Sequence, residues 1–114
     1  MTRIVAGILA AALALAAHAA GPKIKIEAGG ACVAPTPEMR RNHMKFLFEQ
    51  RDRTMHEGIR TARFSLKNCV DCHASRKTGS VLGEEGFCSS CHAYASVSID
   101  CFECHSPMRQ ASAR

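Results

Sequence analysis

The sequence predicts a small domain that is mostly loops with a few short α-helices and little or no β-structure, organised by something other than its own backbone pattern. Three observations carry this expectation. A Cys-x-x-Cys-His signature occurs three times between Cys69 and His105, and no strong helical or strand period runs through that stretch. The chain also holds no Trp, one Tyr and five Phe with which to build a core. At 114 residues there is room for one domain. Hydrophobic residues make up 46% of it, but much of that is an alanine-rich start, and the remainder buries too little apolar area to offset its conformational entropy without staples. Cys-x-x-Cys-His is the attachment signature of c-type haem, so the predicted fold class is a small multihaem cytochrome c, its helices and loops packed on three covalent haems.

Taken in order along the chain, residues 1–19 read as a signal peptide. Thr2 and Arg3 form a short basic start, Ile4 to Ala17 is a run of small and branched apolar residues, and Ala17-His18-Ala19 fits a small-x-small processing site. The run is shorter than the roughly 18 residues of a bilayer span, so a cleaved leader is favoured, with retention as a membrane anchor the alternative. Either way the rest of the chain is expected in the periplasm, where c-type haems are attached. Residues 20–35 form a linker carrying Cys32; the alternation Lys23-Ile24-Lys25-Ile26 would also suit a short strand.

Residues 36–114 make the trihaem domain. Thr36 is placed to cap a helix, with Pro37 at its first position and Glu38 near the positive end of its dipole. Met39, His43 and Leu47 recur every four residues and share one face of that helix, which runs on until Gly58 ends it. Gly79, Gly83 and Gly86 mark loops.

The three motifs are Cys69-Val70-Asp71-Cys72-His73, Cys88-Ser89-Ser90-Cys91-His92 and Cys101-Phe102-Glu103-Cys104-His105. Two residues between the cysteines let both sulfurs reach the vinyl positions of one porphyrin, and the adjacent His73, His92 or His105 then comes under the iron as proximal ligand. Zinc sites also use paired C-x-x-C elements but do not need a His after each pair, and export counts against them. A disulfide framework is the third reading, yet this spacing is more often redox-active than structural. Only 14 and then 8 residues separate one motif's His from the next motif's Cys, so the macrocycles must lie close together and become the core. Apo protein should be largely unfolded.

Distal ligands are then a matter of what remains. Six of seven cysteines are spent on attachment, leaving Cys32. Of six histidines, three are proximal and His18 lies in the leader, leaving His43 and His56. In a continuous helix these two are thirteen residues apart, about 220° round the axis, so they should serve different haems. Met39 and Met108 are weaker candidates, with Met44 and Met55 behind them, because a thioether can also complete an iron and raises its potential. Each has a plainer alternative: a surface histidine, a free thiol, or a methionine that packs.

The formal charge of +5 does not point to nucleic acid. Two propionates per haem cancel most of it, and no aromatic-basic interleaving or helix-turn-helix pattern is present. Arg40, Arg41, Arg51, Arg53, Arg60 and Arg63 suit either a solvated face or contacts to propionates.

The chain resembles the DsrJ family, the trihaem periplasmic cytochromes of the DsrMKJOP membrane complexes in dissimilatory sulfur metabolism. The resemblance covers nearly all of the mature chain. It rests on Cys-Val-Ala-Pro-Thr from Cys32, Met-Arg-Arg-Asn-His-Met from Met39, the stretch Arg-Asp-Arg-Thr-Met-His-Glu-Gly-Ile-Arg ending at Arg60, Leu66-Lys67-Asn68, and Ser-Ile-Asp-Cys-Phe-Glu-Cys-His at the last motif. It implies integral membrane and iron-sulfur partner subunits, His/Cys ligation of one haem by Cys32, a His/Met haem that keeps Met39 and Met108 in play, and a leader that can stay as an anchor. Two functional classes follow: an electron-relay subunit with no substrate pocket, and a sulfur-transforming enzyme acting at a His/Cys haem. The first is preferred, because so small a domain has little from which to form a pocket.

Overall fold

The computed structural model describes residues 21–27 and 30–110, so the predicted leader, His18 included, lies outside the described residues. Among the described residues, three helices and one 3-10 turn follow in order: α1 (Thr36–Glu57), α2 (Leu66–His73), α3 (Phe87–Tyr94) and the turn Asp100–Glu103. Among the described residues the only β-pairing is an isolated antiparallel bridge between Ser80 and Met108. No described helix is long and apolar enough to cross a membrane.

With 22 residues, α1 is longer than the short helices of the predicted fold class but has the length that the pattern from Thr36 to Gly58 predicts. Its start also differs by one residue. Thr36 is the first helical residue, and the Pro35 carbonyl does the capping by accepting from the Glu38 and Met39 amides at 2.9 and 3.0 Å. Pro37 in the first turn costs no hydrogen bond, since amides there have no helical partner. The predicted end is where the structure has it. Gly58 takes the left-handed conformation (φ 70°), and the Gly58 and Ile59 amides donate to Thr54 and Arg53 carbonyls.

No residue of α1 is buried, yet Met39, His43, Phe46, Leu47, Gln50 and Thr54 form a half-buried stripe. The following loop folds back on that stripe. Phe46 stacks on Phe64 at 4.7 Å, Gln50 donates to the Ile59 carbonyl at 3.2 Å, and Thr61 donates to Gln50 at 2.6 Å.

Helices α2 and α3 are short helices that arise where no strong helical period runs through the sequence. Eight residues make about two turns, too few for an apolar period to register. Local chemistry starts α2 nonetheless: the Ser65 hydroxyl accepts from the Asn68 amide. Each of these helices carries a whole Cys-x-x-Cys-His motif, α2 ending on the His of the first and α3 running two residues past the His of the second, while the 3-10 turn starts one residue before the third and ends inside it.

The motifs meet at one small cluster. Val81, fully buried, clusters with Val70 and Ala74 of the first motif's helix and its exit, and Cys88 of the second motif and Phe102 of the third pack against that cluster. The Val81 backbone joins them too. The Val81 amide donates to the Pro107 carbonyl at 3.0 Å, and the Val81 carbonyl accepts from the Cys88 amide at 3.1 Å at the start of α3. Residues 107–110 then run back along the first motif, with Arg109 donating to the Gly79 and Ala74 carbonyls, both at 2.7 Å, and the Gln110 amide to Asp71 at 2.9 Å. Lys67 first and the Gln110 amide second hold the Asp71 carboxyl below its ordinary range.

The segment 21–27 is extended and docks through charge. Lys25 pairs with Glu85 and Glu27, and Glu27 accepts from the Arg76 amide. That amide, then Lys25, holds the Glu27 carboxyl below its ordinary 4.5; Lys25 does the same for Glu85, and Glu85 raises Lys25 above 10.5. The carboxylates lend stability that is whole above pH 4.5 and lost as pH falls through their lowered values. The lysine's share is whole below 10.5 and lost above its raised value. Protection of the Arg76 amide from hydrogen exchange, corrected for the intrinsic pH dependence, should therefore fall on acidification below about pH 4. A flat protection profile from pH 6 to pH 3 would show that the segment is held otherwise.

Candidate haem-binding site

All seven cysteines are free thiols, so the structure contains no disulfide framework. Among the described residues no three His, Cys, Asp or Glu side chains converge as a zinc site requires. Burial raises the Cys88 thiol to about 11, with Cys69, Cys101 and Cys91 adding to the shift. Burial again, followed by Cys32 and Cys72, raises Cys69. The first cysteines of all three motifs are thus near neighbours, as the short spacers demanded. Both thiols remain protonated near neutral pH, which disfavours oxidation and suits donors that have to survive as thiols until they are alkylated.

Phe87, immediately before the second motif, stacks on His73 of the first at 4.0 Å and 17°. Burial lowers the His73 pKa, which favours the neutral imidazole that iron ligation requires. Sequence reasoning missed this contact; an aromatic placed directly before a motif was the available signal. His105 is exposed and shares a cavity of about 60 Å³ with Leu66, Val70 and Met108. Met108 is thereby placed between the first and third motifs.

His43 and His92 come together, with ring centroids 5.9 Å apart and planes at 77°. His43 Nδ1 is 3.0 Å from the Met39 carbonyl. His92 Nδ1 is buried and has no hydrogen-bond partner, the one such side-chain nitrogen or oxygen among the described residues. Met39 is half-buried one turn before His43.

Cys32 is exposed in the segment leading into α1, close enough to Cys69 to perturb it, and the adjoining Val33 carbonyl accepts from Arg63 at 3.4 Å. His56, by contrast, is exposed in the last turn of α1, and no described hydrogen bond, ion pair or ring contact joins it to a motif. Met55 beside it is 75% exposed. The donors fit haem in chemistry and in placement: paired thiols on helical turns, imidazoles beside them, and an orphaned imidazole nitrogen facing the need for a partner.

The chain is similar to the Hdr-like menaquinol oxidoreductase cytochrome c subunit of Archaeoglobus fulgidus, at 28% identity over 96 residues. That alignment takes in 74% of this chain and spans 61% of the relative's length. No family model matches the chain, and no solved structure matches it.

Proposed function

We propose that this chain is a cytochrome c subunit of a membrane-bound redox complex, that it carries three haem c groups, and that it relays electrons. The observation that carries the proposal is the clustering of three complete attachment motifs around Val81, each with its own imidazole. Its similarity to a cytochrome c subunit of a menaquinol oxidoreductase supports the class of partner. We extend the reading to a DsrJ-like role on the periplasmic side of a dissimilatory sulfur complex, with iron-sulfur and integral membrane subunits as partners, on the residues from Cys32 through Arg60 that carry the resemblance.

Haem iron supplies a one-electron couple; the chain supplies everything that sets it. Cys69 and Cys72, Cys88 and Cys91, and Cys101 and Cys104 would hold the three groups, and His73, His92 and His105 would each supply an iron ligand. The Val81 junction keeps the three attachment points at fixed spacing. Mass spectrometry of the purified protein should show three haem additions, and a colourless product with the mass of bare peptide would refute the proposal.

The second reading, sulfur chemistry at a haem bound by Cys32, draws on the exposure of that thiol beside the first motif. Turnover of thiosulfate, sulfide or a persulfide by the isolated protein would favour it. Cys32 as a distal ligand is tested separately. Cys32→Ser should remove one low-spin signal from the paramagnetic resonance spectrum of the oxidised protein while three haems remain, and an unchanged spectrum would dismiss the assignment.

A further inference from the structure

We propose that His43 of α1 and His92 of the second motif are the two axial ligands of one iron, that of the haem attached to Cys88 and Cys91, with their ring planes crossed. This rests on the trihaem reading and specifies which residue completes which centre.

Spacing is the first support. A metal held between two imidazoles by bonds of about 2 Å, with about 1 Å from each nitrogen to its ring centre, separates the centroids by about 6 Å. The observed separation is 5.9 Å. No hydrogen bond joins the two rings, and neither α1 nor α3 contains a buried residue, so an ordinary apolar core does not account for the contact. The polar atoms agree. His43 Nδ1 lies on the Met39 carbonyl, the outer contact by which a ligating imidazole is commonly oriented, and this leaves Nε2 available. His92 meanwhile has a buried Nδ1 without a partner, so no hydrogen bond from that nitrogen commits its ring to another contact.

Three of the competing donors are placed elsewhere. His56 sits about 220° round the same helix and is exposed. Met108 lies in the cleft beside His105, and Cys32 beside Cys69. The stacked Phe46–Phe64 pair and the Gln50 contacts hold α1 against the loop that leads to α2, so His43 is presented by a braced element.

Crossed ligand planes have a spectroscopic consequence. Parallel imidazoles split the iron dπ orbitals and give a rhombic low-spin spectrum, whereas rings at 77° leave them nearly degenerate. The oxidised three-haem protein should accordingly show one highly anisotropic low-spin signal. In His43→Ala that signal should vanish, one haem of three should become high-spin and bind carbon monoxide once reduced, and added imidazole should restore it. Proton resonance of the reduced parent protein locates the centre without any variant: His43 ring protons should show nuclear Overhauser contacts to the haem bridged by Cys88 and Cys91. Contacts to either other haem, or three unchanged low-spin centres in His43→Ala, would overturn the pairing and leave the trihaem reading intact. A haem count below three in the parent would instead sink the reading on which the pairing rests.

Discussion

Synthesised without haem attachment, the chain should be largely unfolded, with weak far-ultraviolet circular dichroism and amides that exchange at nearly unprotected rates. The magnitudes decide this. The buried hydrophobic residues of the described chain are Val70, Ala74 and Val81. Burying a valine contributes about 1.5–3 kcal/mol, while ordering each residue costs about 1–2 kcal/mol of backbone entropy. Two valines and an alanine cannot hold 22 residues of α1, which has no buried side chain, against its own fraying. Helical signal and slow exchange should appear together once the thioethers form. A cooperative thermal transition in the chain with all six motif cysteines replaced by alanine would show that the polypeptide supplies its own core.

The second large effect is expected at Gly86. A Cβ built there lies 2.4 Å from the Val81 carbonyl oxygen and 2.5 Å from the Leu82 carbonyl carbon, both backbone atoms that cannot swing aside. Gly86→Ala must therefore open the turn between Val81 and α3. Overpacking of this kind costs on the order of 1–3 kcal/mol, and here it also disturbs the Val81 carbonyl that accepts from Cys88. The yield of three-haem protein should fall severalfold, and the denaturation midpoint of what is made should drop. Gly21→Ala, with nothing within 4 Å, provides the neutral control. Equal yields and midpoints for the two variants would show that the turn relaxes freely.

How much of this was legible beforehand depended on which forces were local. The long helix was readable because Pro37, the four-residue recurrence of Met39, His43 and Leu47, and Gly58 are all local signals. Its first residue was misplaced because the capping is done by the Pro35 carbonyl, which has no side-chain signature. Helices α2 and α3 were expected only as unplaced short helices: one serine caps the start of α2, no side chain caps α3, and two turns carry no period. The Val81 junction and the Gly86 contact depend on residues distant in sequence, which pattern reading does not reach. At the site, the motif residues were written in the spacing, whereas the meeting of His43 with His92 depends on how α1 lies across α3.

Val81 gives its side chain to the first motif, its carbonyl to the second and its amide to the tail of the third. On the proposed trihaem reading, such a hub leaves little freedom for one pigment to shift while its neighbours stay still. Damage at this valine should register in the optical bands of all three chromophores together, so that a lesion remote from every iron would masquerade as a fault in each.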